Sequence, residues 1–129
     1  MENILENLNR EQKEAVQTTA GPLLILAGAG SGKTKVLTSR IAYLIQNGVR
    51  PRNILAVTFT NKAAKEMKER LGNILGESTV KYMWVGTFHG ICGRILRENI
   101  DRYSFQSGKK LDKNFTIYDD NDTSAVIKQ

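Results

Sequence analysis

Apolar residues along this chain fall into short continuous runs and longer stripes of helical spacing, and the two kinds alternate. Leu23-Leu24-Ile25-Leu26 is a run; Val36, Leu37, Ile41, Leu44 and Ile45 then recur at helical spacing and predict a helix. Ile54-Leu55-Ala56-Val57 is a second run, followed by the stripe Ala63, Ala64, Met67, Leu71, Ile74 and Leu75. A third run, Tyr82 to Val85, precedes Phe88, Ile91, Cys92, Ile95, Leu96, Ile100 and Tyr103. Continuous apolar runs suit strands covered on both faces, as in a parallel sheet. Three strand-then-helix units in series therefore predict an α/β fold, a parallel sheet flanked by helices and joined by right-handed crossovers. Cys92, lying on the third stripe, is expected as a buried thiol.

Stop and start signals divide these elements. Asn9 with Gln12 three residues on reads as a capping box for a short helix from Arg10 to Gln17. Asn47-Gly48 and Pro51 end the first long helix, and Gly72 and Gly76 mark the exit of the second. Ser104 to Asn114 is polar and basic, as an exposed loop would be, and Phe115 to Gln129 reads as a short extended piece running into a helix.

The first run leads into Ala27-Gly28-Ala29-Gly30-Ser31-Gly32-Lys33-Thr34. This is the spacing of the Walker A phosphate loop, with Ala27 at the first glycine position. Gly28, Gly30 and Gly32 free the backbone for positive φ and close approach to a ligand. Loop amides and the start of the following helix then form an anion site for nucleotide phosphates. Lys33 would reach the β- and γ-phosphates of ATP, and the Thr34 hydroxyl would ligate Mg²⁺. The dinucleotide fingerprint fails, because Gly28-Ala29-Gly30 has its next glycine at the wrong spacing. Gln12 admits two readings: a capping side chain, or an amide able to read an adenine edge through its donor and acceptor.

Composition narrows the partners. The chain has 129 residues, enough for one domain with a real core, and a formal charge of +6. An anionic partner is favoured, nucleic acid ahead of a membrane, since no long apolar segment or basic amphipathic helix occurs. A single cysteine excludes an internal disulfide, and with no signal-peptide core the expected location is cytoplasmic.

Four segments in order then resemble the N-terminal part of a UvrD/Rep/PcrA-type superfamily 1 DNA helicase. Leu8-Asn9-x-x-Gln12 is similar to that family's Q motif and Ala27 to Thr34 to its motif I. Thr58-Phe59-Thr60-Asn61-Lys62-Ala63-Ala64 resembles motif Ia, and Gly86-Thr87-Phe88-His89 the next DNA-contacting motif. The resemblance implies an incomplete first RecA-like motor domain, a P-loop NTPase fold over residues 1–129, from an enzyme that hydrolyses ATP to move 3′ to 5′ along single-stranded DNA in repair or replication. It implies adenine contact by Gln12, phosphate and magnesium contact by Lys33 and Thr34, and DNA contact by Thr58, Phe59, Asn61, Lys62, Thr87 and His89. Duplex junctions join single strands as expected partners. Lys35 departs from the arginine that family members often carry there, losing a planar guanidinium.

Hydrolysis also needs a carboxylate pair at a later strand end. Asp119-Asp120, after Phe115-Thr116-Ile117-Tyr118, superficially fits, but the run alternates with polar residues and precedes a helical stretch. The cluster is therefore expected to start a helix. With that family's Walker B segment and second motor domain not found in these residues, the chain is expected to be a piece of a longer enzyme that does not itself turn over ATP. A small-molecule kinase would also use the phosphate loop but lacks a recognisable acceptor site and lid. A nucleic-acid-binding module without turnover remains the reading from a different functional class.

Overall fold

Parallel strands cannot be joined by a tight turn, so a crossover must return the chain to the edge where pairing starts. In the computed structural model, which describes residues 3–28, 30, 32–104, 108 and 110–128, two strands meet this requirement. β1 (Leu55–Thr58) and β2 (Trp84–Thr87) pair in parallel with the register Leu55↔Trp84, Ala56↔Val85, Val57↔Gly86 and Thr58↔Thr87. Ahead of them in the chain lie α1 (Arg10–Gln17) and α2 (Lys33–Gln46). The crossover is α3 (Asn61–Leu75) followed by a short α4 (Glu77–Val80), which the apolar spacing did not predict. α5 (Phe88–Asn99) follows β2 directly, and α6 (Asp120–Ile127) is the last helix.

The chain divides into two compact units, Met1–Ile91 and Cys92–Gln129. In the first, Met67 and Leu71 of α3 bury against Ala56 of β1, Val85 of β2 and the adjoining Ile54 and Met83, with Ile41 of α2 closing the cluster. Leu71 has no exposed surface, as expected of a stripe residue at the centre of a sheet-covering helix. A smaller cluster of Leu8, Val16 and Val36 fastens α1 to α2. Asn47 and Gly48 end α2 as expected, Gly48 taking φ +95°, and Gly76 ends α3 with φ +86°.

Three expectations are corrected. Leu23-Leu24-Ile25-Leu26 is not part of the sheet: no described residue pairs with it. Its side chains are 40, 81, 38 and 87% exposed in turn, the two-residue alternation of an extended chain with one face half shielded and the other bare. The third strand starts at Trp84 rather than Tyr82, because Tyr82 and Met83 spend their N–H groups on the Thr79 and Val80 carbonyls of the preceding turn. Cys92 is exposed, not buried. Ile91 is buried, but Ile95 and Leu96 on the same stripe remain about half exposed, so the stripe names a face without guaranteeing a cover.

In the second unit α5 runs to Asn99 and tightens into a 3₁₀ turn at Ile100–Arg102. The Arg97 guanidinium lies 5.0 Å from the centroid of the Phe115 ring. Phe115 to Tyr118 forms no strand, and Asp119 caps α6 as expected, its carboxyl accepting from the Asp122 N–H at 2.8 Å while the Asp122 carboxyl accepts from the Asp119 N–H at 3.1 Å. No helix among the described residues is long and apolar enough to cross a membrane.

Candidate functional site

The phosphate-loop segment ends in the backbone geometry its glycines foretell at two of three positions. Gly30 has φ +74° and Gly32, the N-cap of α2, has φ +81°, values that L side chains rarely adopt. Gly28 does not have positive φ, and a Cβ there would touch nothing within 4 Å, so its glycine is not required by the backbone. Ala29 and Ser31 lie outside the described residues. No side chain caps α2, so its first-turn amides, with the helix's positive dipole end, face away from the helix toward the loop. Lys33 and Thr34 occupy that first turn, both exposed. The Lys33 ammonium donates to the Ala27 carbonyl at 3.1 Å, bridging the loop's two ends.

Gln12 serves its capping role in full. Its N–H donates to the Asn9 side chain at 2.8 Å, and its side-chain oxygen accepts from the Asn9 N–H at 3.0 Å. The same side chain also reaches the phosphate loop: a Cβ built on Gly32 would stand 3.0 Å from Gln12 Nε2. Capping and proximity to the glycine-rich loop thus coexist in one residue.

At the carboxyl end of the two-stranded sheet, β1 and β2 finish in the same dipeptide, Thr58-Phe59 and Thr87-Phe88. Because Thr58 and Thr87 are register partners, the two following rings emerge side by side, with centroids 5.5 Å apart and planes inclined at 47°. That is an ordinary tilted aromatic pair. Phe59 is 92% exposed, outside both buried clusters, and Phe88 is about half exposed. Sequence reasoning placed Phe88 on a packing stripe and inside the segment Gly86 to His89 without naming it as a contact residue; the repeated Thr-Phe at both strand ends was the signal available.

The threonines beside these rings shape the loops. Thr58 is buried and its hydroxyl donates to the Thr60 carbonyl at 3.0 Å, while the Thr60 hydroxyl caps α3 by accepting from Ala63 N–H at 3.1 Å. Thr87 accepts from Gly90 N–H at 3.1 Å at the start of α5. Asn61, Lys62 and His89 are exposed, on the first turns of α3 and α5. Lys65 lies 3.9 Å from Glu69 in an exposed ion pair, a contact of little energetic weight. Among the described residues no cluster of three or more His, Cys, Asp or Glu side chains could hold a metal.

Comparison with known proteins places these features in a family. Residues 8–129 match the family described as the UvrD/REP helicase N-terminal domain. An ATP-dependent DNA helicase PcrA of Staphylococcus epidermidis is 55% identical over 129 residues, covering 99% of this chain and 17% of the relative. One from Staphylococcus aureus is 54% identical with the same coverage. The chain thus spans 17% of the length of the curated relatives it matches.

Proposed function

The chain belongs to the UvrD/REP helicase family, and from that premise we propose that it is the ATP-binding and single-strand-contacting part of a DNA helicase motor that moves 3′ to 5′. The observation that carries the reading is the start of α2: an uncapped helix end behind two positive-φ glycines, with Lys33 and Thr34 in its first turn. Such a terminus binds phosphate through backbone amides and dipole together. In this proposal Gln12 meets the adenine, residues 27–34 wrap the phosphates, Lys33 meets their β- and γ-oxygens, and Thr34 holds Mg²⁺. Magnesium would supply neutralisation of charge on the phosphate oxygens.

The DNA contacts rest on the aromatic pair. A ring exposed as fully as Phe59 offers a base a stacking face, with Phe88 tilted against its flank and Asn61, Lys62 and His89 beside them as polar and cationic partners for the strand. Thr58 and Thr87, whose hydroxyls have backbone partners, act through loop shape instead. The alternating exposure of Leu23 to Leu26 supports its membership, in the whole motor, of a RecA-like sheet larger than β1 and β2. Asp119 and Asp122 are engaged in a capping box, which supports binding of nucleotide by this chain with almost no hydrolysis.

Titration calorimetry with ATP and Mg²⁺ tests the reading. Lys33→Ala is expected to weaken binding by about 1.5–3 kcal/mol, the worth of hydrogen bonds to a charged group. Wild-type protein that binds no nucleotide, or steady turnover abolished by Lys33→Ala, would sink it.

A further inference from the structure

The proposed site leaves one nearby cation without a task. Lys35 sits one position past Thr34, yet its ammonium is turned from the loop and donates to the carbonyl of Asn7, 28 positions earlier. Five residues along the same helix, Arg40 Nη1 donates to the Ala15 carbonyl at 2.8 Å, 25 positions earlier. The two acceptors bracket α1: Asn7 precedes its N-cap Asn9, and Ala15 lies in its last turn. Beside the two bonds, Leu8 and Val16 bury against Val36. α2 therefore grips α1 at both ends.

Gln12 stands inside that grip. Its side-chain oxygen is fixed by the Asn9 N–H, and its nitrogen comes so near Gly32 that a methyl group there would stand 3.0 Å away. A side chain on one helix thus has its distance to a loop at the head of another set by how the two helices are fastened. Phosphate recognition needs no such fastening, since the loop glycines, Lys33 and Thr34 all belong to α2 or the turn leading into it. Base recognition by Gln12 does.

We infer that Lys35 is a positioning residue for base selection: together with Arg40 it clasps α1 to α2 and so sets the seat of Gln12 against the phosphate loop, without touching nucleotide itself. The inference rests on the proposed adenine contact of Gln12. A lone carbonyl asks for one charged donor, which the Lys35 ammonium supplies as the Arg40 guanidinium does at the other end.

The experiment measures affinities of the full chain for Mg²⁺–ATP and Mg²⁺–GTP by calorimetry, with melting temperatures recorded beside them. Lys35→Met, which keeps the stem and removes the donor, is expected to lower the ATP preference by about tenfold while leaving GTP affinity in place, because one oriented hydrogen bond to the base is what becomes misplaced. Gln12→Ala should lower the preference equally, and the double variant should lose nothing more, as residues acting through one contact are non-additive. Lys35→Arg should retain the preference. Arg40→Lys, a milder loosening of the other end, should shift the ratio in the same direction and decides the matter if Lys35→Met does not fold. Equal weakening of ATP and GTP, or an unshifted ratio in both loosened variants, overturns the inference. Wild-type protein that binds neither nucleotide overturns the underlying site as well, whereas wild-type binding without ATP preference removes the role of Gln12 and this inference with it.

Discussion

Two apolar runs in this chain read alike and meet opposite ends. Ile54-Leu55-Ala56-Val57 is drawn into β1, hydrogen-bonded to β2 and covered by α3. Leu23-Leu24-Ile25-Leu26, the more hydrophobic of the two, pairs with no described residue and leaves Leu24 and Leu26 bare. Loss of apolar surface to water is a property that a run carries in its own residues. A ladder is not: it needs a neighbour delivered in register, and for β1 the α3–α4 crossover delivers one. The contrast separates a demand for burial, which sequence states, from its fulfilment, which topology decides.

That contrast has measurable edges. The largest effect belongs to the covered run: Leu71→Ala, at the centre of the helix that covers it, should cost about 2–5 kcal/mol in urea unfolding. A negligible cost would show that α3 does not hold the pair of strands together. The next belongs to the free end of the same run, where Phe59→Ala should weaken single-strand binding by about 1–3 kcal/mol in a fluorescence anisotropy titration. Unchanged DNA affinity with a lower melting temperature would make the ring a packing element. The alternating stretch Phe115 to Tyr118 also forms no strand and ends in a cap; Asp119→Ala should cost about 0.5–2 kcal/mol of stability with nucleotide affinity intact. Lost nucleotide affinity would return the aspartate to the catalytic reading. The smallest effect is the bare run's own: Leu24→Ser and Leu26→Ser should each change stability by no more than about 0.5 kcal/mol. A cost near that of Leu71→Ala would mean the run is buried in solution, and the comparison would collapse.

Features that sequence reasoning captured are those closed within a turn of chain. The Asn9–Gln12 capping box spans three residues and forms, and the helix expected to start at Asp119-Asp120 forms too, with Asp119 as its cap. Gly30 and Gly32 were legible because positive φ is nearly a glycine privilege. What escaped depends on residues far apart in the chain. The Lys35–Asn7 bond joins positions with no pattern linking them, and the Phe59–Phe88 pair exists only because of the β1–β2 register. Cys92 was misplaced for a related reason: periodicity identifies which side of a helix is apolar and is silent on whether anything lies against it. The short α4 escaped because four residues are too few to show a period.

The bare run also has a colloidal consequence. From Ala15 to Gly32 no residue carries a charge, so the exposed leucines sit in a stretch without the electrostatic gatekeepers that keep chains apart. Extended apolar backbone with unpaired edges is a template on which copies add to one another. Self-association of this chain through the run is therefore an expected outcome, checked by light scattering over a range of concentrations. A lysine in place of Leu24 or Leu26 would supply the missing gatekeeper in this chain.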